Sequence, residues 1–383
     1  MKYVVQLLLL LMYLGAWPLS RAQNGARPTL AKTPPMGWNS WNVFGDKIDD
    51  ATIRAEADAL VSSGMKAAGY EYVNIDEGWE GARDGVGNLM PNAKFPDMKA
   101  LADYVHGKGL KIGIYSSPGP KACGGYEGSY GHEEQDAKMF ASWSMDYLKY
   151  DWCTAGTVYE RSQYPEALRK MAVALAHTGR PIVYSIHGRG AVWNYAGDQG
   201  ANLWRTTGDI NDTYARMIAI GFAQQGLEPF AGPGRWNDPD MLEVGNGGMR
   251  ENEYRMHMSL WCLLAAPLLA GNDLRKMTPE ALDIITNPEV IAVDQDPAGK
   301  QGRIVHQEGA IAVMVKPLAD GGKAVGLFNR EQGIVTVAVN FGDIGLPDEA
   351  TVRDLWLRKD LGKFRGSYSV DVPEHSCVLV RVH

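Results

Sequence analysis

Hydrophobic positions follow two different periods along the chain, and the change falls near residue 300. From about residue 33 to residue 295, short apolar strands alternate with segments whose apolar residues recur at helical spacing. Eight strands, each followed by helical sequence, are typical of a (β/α)8 TIM barrel rather than an open sheet. The predicted strands are residues 35–41, 70–76, 110–117, 145–152, 181–186, 202–207, 235–242 and the end of 266–273.

Three of the intervening helices can be delimited from their ends. One is predicted over residues 50–63, where apolar residues recur every three to four positions. Asp97 is a candidate N-cap of the next helix, with Gly107 just past its end. Pro165 suits the first turn of a third helix, and Gly179 suits its end.

The period changes to two after the turn-rich segment 294–302. Alternating runs separated by Gly, Asp, Asn and Pro are the pattern of antiparallel strands. We therefore predict a barrel over residues 33–300 and a C-terminal antiparallel β-sandwich domain over residues 301–383. Its predicted strands are residues 310–318, 323–330, 334–341, 350–357, 366–372 and 377–382.

The N-terminus has the pattern of a secretory signal peptide. Lys2 precedes an apolar stretch at residues 4–12, and small residues follow at the usual cleavage spacing. The apolar stretch is too short to span a membrane, and no cysteine near the cut would carry a lipid anchor. We predict a signal peptide over residues 1–22, a linker over residues 23–32, and a secreted or periplasmic protein.

Composition and charge exclude several classes of partner. Apolar residues make up 45% of the 383 residues and charged residues 22%, as in an ordinary globular protein. Without the predicted signal peptide the chain has 36 basic and 45 acidic residues, a net charge of −9. No basic patch stands out, so neither nucleic acid nor an anionic membrane is expected as a partner, and a neutral substrate fits better.

The four cysteines divide into two pairs. Cys262 and Cys377 lie in apolar runs and are expected to be buried thiols. Cys123 and Cys153 are candidates for a disulfide, which an exported chain can form. The sequence has no CxxC pair and no HExxH motif, so no metal site or other cofactor is expected.

The segment YLKYDWC, residues 147–153, carries the strongest chemical signal. Strand alternation places Lys149 and Asp151 on the same face, at the end of a predicted strand. A neighbouring cation lowers the pKa of a carboxyl group and keeps it ionised for covalent chemistry. A structural ion pair at the barrel mouth is the alternative role of the same two residues.

Polar and aromatic residues stand at most of the predicted strand ends, where barrel enzymes place their working residues. Many carboxylates around one mouth, together with tryptophan, suggest a sugar site, because most glycosidases use paired carboxylates. The residues are Trp38, Trp41, Asp76, Glu77, Tyr115, Lys149, Asp151, His187, Arg205, Asp209, Asp238 and Asp240.

Structural roles are open for several of these residues. His187 is either a loop histidine or a pocket residue whose charge changes near neutral pH. An Asx-turn is the favoured role of Asp238. The remaining alternatives are a helix cap for Asp209, a solvated loop for Asp76 and Glu77, barrel packing for Trp38 and an ion pair with Asp209 for Arg205.

The barrel sequence resembles glycoside hydrolase family 27, the α-galactosidase and α-N-acetylgalactosaminidase family. The similar stretches occur in family order and cover the whole barrel, whereas the C-terminal domain is similar in position and type more than in sequence. They are TPPMGWNSW, YEYVNIDEGW, LKIGIYSSPGPKAC, DYLKYDWC, LWRTTGDI, GPGRWNDPDML and VIAVDQDPAGKQG.

The resemblance implies a retaining mechanism with Asp151 as the nucleophile and Asp209 as the general acid, then base. Two such carboxyl groups are expected roughly 5–5.5 Å apart. Asp209 must hold its proton until the leaving oxygen takes it. The resemblance also implies a Cys123–Cys153 bridge at the pocket edge and a sugar subsite lined by Trp41, Asp76, Tyr115, Lys149, Arg205, Asp240 and Met241.

Two departures from the family pattern bear on the substrate. Glu77 stands where the α-galactosidases usually have a second aspartate, and its extra methylene extends towards the C6 hydroxymethyl group of galactose. L-Arabinopyranose lacks that group, and a methylene-sized mismatch is worth only about 1–3 kcal/mol. His187, followed by Gly188, matches neither the acid nor the small residues that family members place near the 2-hydroxyl.

The sequence therefore predicts a secreted, retaining exo-α-galactosidase that acts on galactose-terminated oligosaccharides or polysaccharides. The nearest alternative is a β-L-arabinopyranosidase on the same scaffold, because of Glu77. An α-N-acetylgalactosaminidase is a weaker alternative, since it needs room around His187 and Gly188. An inactive sugar-binding protein is weaker still, because both predicted catalytic aspartates are present.

Overall fold

The computed structural model describes residues 30–383, so the predicted signal peptide and most of the predicted linker lie outside the described residues. The strands before residue 300 are β1 (Met36–Asn39), β2 (Tyr72–Asn74), β3 (Glu80–Arg83), β4 (Leu89–Pro91), β5 (Lys111–Ser116), β6 (Tyr147–Asp151), β7 (Val183–His187), β8 (Leu203–Arg205), β9 (Trp236–Asp238) and β10 (Leu268–Ala270). The helices are α1 (Trp41–Phe44), α2 (Asp50–Ser62), α3 (Met98–Gly107), α4 (Glu133–Ser142), α5 (Tyr164–His177), α6 (Tyr214–Phe222), α7 (Glu251–Leu264), α8 (Pro279–Ile285) and α9 (Pro288–Asp294).

Eight of these strands form one parallel sheet, in the order β10-β1-β2-β5-β6-β7-β8-β9. The sheet curls until Leu242, which follows β9, makes a parallel bridge to Ala270 of β10. The backbone N–H of Leu242 donates to the carbonyl of Leu269 over 2.8 Å at this junction. The prediction of a (β/α)8 barrel is confirmed.

Strand β6 illustrates how the barrel separates packing from chemistry. Leu148 and Tyr150 are fully buried, on the face that packs against the surrounding helices. Tyr147 lies on the opposite face, in a buried cluster with Tyr72 of β2 and Trp236 of β9. The same face continues upwards through polar side chains to the strand's C-terminal end. The barrel is therefore filled by large apolar side chains below and is open and polar at its mouth.

The predicted helix ends are largely correct. The side chain of Asp97 accepts a hydrogen bond from the backbone N–H of Ala100, as an N-cap does. The helix includes Gly107, so the prediction that Gly107 lies past its end is wrong. The left-handed position is Gly109, with φ +69°, which a side chain would strain. Pro165 lies in the first turn of α5, and Gly179 (φ +74°) follows its end.

A hairpin of β3 and β4 is inserted after β2, and the sequence patterns did not predict it. Arg83 of this hairpin pairs with Asp136 of α4 through two hydrogen bonds of 2.7 and 2.8 Å. Asp136 is fully buried, so the bidentate pair fixes the hairpin beside the barrel mouth.

The C-terminal strands are β11 (Arg303–Glu308), β12 (Ile311–Pro317), β13 (Lys323–Asn329), β14 (Val335–Asn340), β15 (Glu349–Asp354), β16 (Lys359–Arg365), β17 (Ser367–Val372) and β18 (Ser376–Val382). They form a six-stranded sheet, β11-β12-β13-β18-β15-β16, and a two-stranded sheet, β14-β17, with apolar side chains between them. The predicted antiparallel β-sandwich is confirmed. The patterns missed β11 and β16 because these edge strands are mostly exposed and lack alternation.

The barrel and the sandwich share one continuous apolar core through α7. Cys262 of α7 and Cys377 of β18 are buried free thiols within it, as predicted. Lys316 of β12 is fully buried, and its Nζ donates to the backbone carbonyls of Cys262 and Asp294. Within residues 30–383, no helix is both long and apolar enough to cross a membrane.

Candidate active site

A cavity of about 700 Å³ opens at the C-terminal ends of the barrel strands. Parallel strands bring residues that are distant in sequence to the same edge of the sheet, which explains why separate motifs meet here. All of the predicted catalytic and sugar-binding residues line this cavity: Trp41, Asp76, Glu77, Tyr115, Lys149, Asp151, His187, Arg205, Asp209, Asp240 and Met241.

Asp151 ends β6 and His187 ends β7, and the parallel register places the two residues directly beside each other. Nδ1 of His187 lies 3.0 Å from Oδ1 of Asp151. The backbone N–H of Trp152 donates to the carbonyl of His187 over 2.9 Å, which extends the pairing beyond the strand ends. His187 is thus a pocket residue in contact with the predicted nucleophile.

The carboxyl group of Asp151 is held in its ionised form. Burial alone would raise its pKa, but the contact with His187, with smaller contributions from Lys149 and Arg205, lowers the pKa to about 2. An ionised carboxylate with little hydration is the form that a nucleophile requires.

Lys149 corrects one expectation from the sequence. Its Nζ lies 2.7 Å from Oδ2 of Asp76, so its direct partner is Asp76 and not Asp151. Burial disfavours the charge of Lys149, yet Asp76 and Asp151 outweigh burial and raise its pKa. Lys149 therefore stabilises Asp151 at longer range, and the closer group is His187.

Asp76 is buried and fixed on every side. Its Oδ2 accepts from Lys149 and, over 2.9 Å, from Nδ2 of Asn39, while its Oδ1 accepts from the backbone N–H of Glu77. Its own backbone N–H donates to the hydroxyl of Ser40. A solvated loop, the alternative role of Asp76 and Glu77, is wrong because both are only 2% exposed. Sequence reasoning missed Asn39, although it lies in the GWNSW stretch.

Glu77 is oriented by the loop after β5. Its Oε2 accepts a hydrogen bond of 2.7 Å from the backbone N–H of Gly124. Burial raises the pKa of Glu77, and the Gly124 bond opposes that rise. The extra methylene of this side chain is therefore used to reach the loop at the pocket edge.

A disulfide between Cys123 and Cys153 closes the same loop onto the end of β6. The hydroxyl of Tyr115 donates to Sγ of Cys153 over 3.1 Å. Cys123, Cys153 and Asp151 bring ligand-type atoms within 4.8 Å of one another, but the joined sulfurs are not available to a metal. The bridge instead places Gly124 next to Glu77.

Arg205 connects the two sides of the pocket mouth. Its guanidinium lies 2.9 Å from Oδ2 of Asp240 and 3.1 Å from Oδ1 of Asp209. Arg205 is buried, whereas the Asp209 side chain is 80% exposed. Asp209 does not cap the following helix, because the side chain of Thr213 makes that bond. The predicted general acid is therefore held by Arg205 while remaining accessible from the cavity.

Asp240 has a backbone φ of +97°, which is unusual for a residue with a side chain. Three contacts fix this conformation. Its N–H donates to Oδ1 of Asp238 in the predicted Asx-turn, its carbonyl accepts from Nε1 of Trp261, and its Oδ2 accepts from the N–H of Ile210. Strained residues held in this way are frequent at active sites.

Trp38 is fully buried, and its Nε1 donates to the carbonyl of Asn272, so it packs the barrel as expected.

Sequence reasoning missed a polar wall on the far side of the cavity. Glu243 is its centre, with hydrogen bonds from Asn42 and Asn246, and burial raises the pKa of Glu243 to about 7. A strand end alone could not reveal this wall, because α1 and two loops contribute to it. Its members that line the cavity are Asn42, Asn211, Asp212, Glu243 and Asn246.

Known families account for nearly the whole described chain. Residues 33–296 match the family model described as Alpha galactosidase A. Residues 308–382 match the Alpha galactosidase C-terminal beta sandwich domain.

Individual proteins agree with these matches. An α-galactosidase of Cyamopsis tetragonoloba is 47% identical over 367 residues, which cover 93% of this chain and 86% of that protein. The crystal structure of α-galactosidase I from Mortierella vinacea is similar with a TM-score of 0.88 and 37% identity, covering 94% of this chain and 98% of that one. The crystal structure of a β-L-arabinopyranosidase from Geobacillus stearothermophilus is similar with a TM-score of 0.83 and 28% identity, covering 92% of this chain and 96% of that one. The chain belongs to glycoside hydrolase family 27, the family of the α-galactosidases.

Proposed function

We propose that this protein is a retaining exo-α-galactosidase that hydrolyses terminal, non-reducing α-D-galactosyl residues. The observation that carries the proposal is that an ionised, buried Asp151 and an accessible, Arg205-bound Asp209 line the same cavity. Paired carboxylates of unequal environment are the machinery of glycoside hydrolysis. The α-galactosidase relatives support galactose as the sugar.

In the first step a carboxylate oxygen of Asp151 attacks C1 of the galactosyl residue. Asp209 donates its proton to the glycosidic oxygen, the C1–O bond breaks, and the alcohol leaves. The product is a β-galactosyl ester of Asp151. Arg205 stabilises the negative charge that Asp209 acquires when it loses its proton.

In the second step the carboxylate of Asp209 takes a proton from water, and the water oxygen attacks C1. The ester bond to Asp151 breaks, and galactose leaves as the α anomer. Asp151 returns to its ionised form, which the electrostatics of the pocket favour, and Asp209 regains its proton. Two inversions at C1 keep the anomeric configuration.

We assign the remaining predicted residues to the sugar subsite. Asp76 and Lys149 form an ion pair at its base and offer hydrogen-bonding atoms to hydroxyl groups. Trp41 is 38% exposed and suits an apolar sugar face. The other proposed sugar-binding residues are Glu77, Tyr115, His187, Arg205, Asp240 and Met241.

A β-L-arabinopyranosidase is the second candidate, because Glu77 is longer than aspartate and one structural relative has that activity. The hydrogen bond from Gly124 favours galactose instead. It holds the Glu77 carboxylate against the loop at the pocket edge, which limits how far the extra methylene extends into the space beside C6. A mismatch of one methylene is worth only about 1–3 kcal/mol, so a Glu77 held in this orientation is compatible with galactose.

We further propose that the enzyme acts outside the cytoplasm on galactose-terminated oligosaccharides or polysaccharides. The signal-peptide pattern of residues 1–22 supports export. A disulfide at the active site suits an oxidising compartment. The open cavity mouth and its polar wall suit a carbohydrate leaving group.

Replacing Asp151 with Asn tests the mechanism, because an amide keeps the shape and removes the nucleophile. We expect kcat on an aryl α-D-galactopyranoside to fall more than about a thousandfold, with the fold retained by circular dichroism. Asp103→Asn, at an exposed helical position, is the matched control and should keep full activity. Activity of Asp151→Asn within tenfold of the wild type would refute the proposed nucleophile.

A further inference from the structure

The contact with His187 lowers the pKa of Asp151, and it is made to only one of the two carboxylate oxygens, Oδ1. We propose that His187 is a positioning residue: its Nδ1–H holds Oδ1 of Asp151 and thereby directs Oδ2 towards the anomeric carbon. This inference rests on the proposed function of Asp151. It adds a residue that acts on the nucleophile itself, beyond any contact with the sugar.

The strand register makes the contact a fixed feature of the barrel. Asp151 and His187 are paired residues of adjacent parallel strands, so their side chains leave the same edge of the sheet side by side. The hydrogen bond from the Trp152 N–H to the His187 carbonyl prevents the two strand ends from separating.

The ring nitrogen that faces Asp151 has nothing else to bind. Nδ1 of His187 is buried, and within residues 30–383 it makes no hydrogen bond of standard geometry to any other group. Its distance of 3.0 Å from Oδ1 of Asp151 is within hydrogen-bond range, so a reorientation that aligns the N–H with Oδ1 completes such a bond. A buried polar atom without a partner is costly, which favours that reorientation when the sugar closes the cavity.

The other cations near Asp151 are engaged elsewhere. Nζ of Lys149 is bound to Asp76, and the guanidinium of Arg205 is bound to Asp240 and Asp209. His187 is therefore the one proton donor that directly contacts the Asp151 carboxylate among residues 30–383. With Oδ1 held, Oδ2 is the oxygen that remains free to attack.

A hydrogen bond from Nδ1 to Asp151 also determines which ring nitrogen of His187 can contact the substrate. If Nδ1 carries a proton towards Asp151, only Nε2 is left to contact the 2-hydroxyl of the sugar. One imidazole would then couple the position of the sugar to the orientation of the nucleophile.

The pKa of Asp151 depends on His187 and on the other charged groups of the pocket. Burial raises the pKa of Asp151, and the contact with His187 is the first of the contributions that lower it. Removing the imidazole should therefore move the ionisation of Asp151 to higher pH. The groups that face this pair from the surrounding strands are Asp76, Glu77, Tyr115, Lys149, Arg205, Asp209, Asp238 and Asp240.

Two variants of the full-length protein separate positioning from a merely structural role. His187→Ala removes the donor, whereas His187→Asn keeps an N–H near the position of Nδ1 but cannot titrate. On an aryl α-D-galactopyranoside we expect His187→Ala to lower kcat about ten- to hundredfold, with its acidic limb in the kcat/KM profile at higher pH. We expect the loss of kcat in His187→Asn, expressed as a logarithm, to be at most half of the loss in His187→Ala.

His306→Ala, on an exposed strand of the sandwich, is the matched control and should leave the profile unchanged. Thermal unfolding of each variant identifies any that fails to fold, in which case His187→Asn alone decides through its kcat and pH profile. The proposal would be overturned if a folded His187→Ala variant kept the acidic limb of its kcat/KM profile at the wild-type pH. It would also be overturned if His187→Asn lost as much kcat as His187→Ala. Absence of galactosidase activity in the wild type would instead refute the proposed function.

Discussion

At the scale of single residues, the sequence predicted which side chains form the site better than it predicted their partners. The residues at the strand ends all line one cavity, because parallel strands bring their C-terminal ends together. Lys149 was expected to pair with Asp151, and it pairs with Asp76. Strand alternation determines the face of a side chain, but the partner across the barrel depends on register and rotamer.

Glu77 carries the main prediction at this scale. Shortening it in Glu77→Asp removes the reach to Gly124 and leaves more room beside C6 of galactose. The ratio of kcat/KM for aryl α-D-galactopyranoside to that for aryl β-L-arabinopyranoside should rise, by up to about tenfold. Glu77→Gln, which keeps the length, is the control and should change this ratio less. A lower ratio in Glu77→Asp would contradict the role given to the extra methylene of Glu77 beside C6.

At the scale of elements, strands with a clear apolar period were predictable and the others were not. The eight barrel strands are buried on both faces and so appear as short apolar runs. Strands β11 and β16 lie at sheet edges, and the β3–β4 hairpin is held partly by the ion pair of Arg83 with Asp136. Such elements depend on tertiary contacts that no local pattern contains.

The loop between β5 and α4 provides a prediction about the disulfide. Cys123–Cys153 closes a loop of 30 residues, so replacing both cysteines with serine should cost roughly 3–4 kcal/mol of unfolding free energy on the entropic model. It should also raise KM for the galactoside, since Gly124 would hold Glu77 less firmly. Chemical denaturation and steady-state kinetics measure the two effects.

A reducing agent supplies the control for this experiment. It should destabilise the wild type and leave the double serine variant unchanged, because Cys262 and Cys377 are buried free thiols. Equal stability of the wild type with and without reductant, once reduction is verified by thiol titration, would show that the bridge contributes nothing.

At the scale of the whole molecule, the two domains are joined through a buried polar contact that the sequence patterns gave no means to predict. Lys316 lies in a predicted strand and Asp294 at the start of the turn-rich segment 294–302, yet both residues are fully buried. Lys316 satisfies two carbonyls of the barrel, whereas Oδ1 of Asp294 has no hydrogen-bond partner within residues 30–383. Burial of this kind depends on docking between domains.

Buried acids predict a pH dependence of stability. Burial raises the pKa of Glu80 and of Asp294 to about 8, from ordinary values near 4. The folded state then binds protons that the unfolded state has lost, so the stability they contribute declines from about pH 4 and is fully lost once pH has risen through about 8. The unfolding free energy should fall as pH rises from about 5 to about 8 and level off above that, and denaturant titrations can measure this.

Replacing the two carboxyl groups with amides of the same shape tests whether they cause this pH dependence. The double variant Glu80→Gln, Asp294→Asn should show a smaller decline over the same pH range, because neither amide titrates. Buried Lys316 acts in the opposite direction, since burial lowers its pKa, but it is unchanged in the comparison. If the unfolding free energy of the double variant declined as much as that of the wild type, these two carboxyl groups would not be the cause of the decline.

The central claim is that this fold presents a galactose site and not an arabinopyranose site. The most direct measurement compares kcat/KM of the purified wild type on aryl α-D-galactopyranoside and aryl β-L-arabinopyranoside at the same pH. The bond from Gly124 to Glu77 and the α-galactosidase relatives predict a preference for the galactoside. A preference for the arabinopyranoside would contradict the account and make Glu77 the residue that excludes galactose.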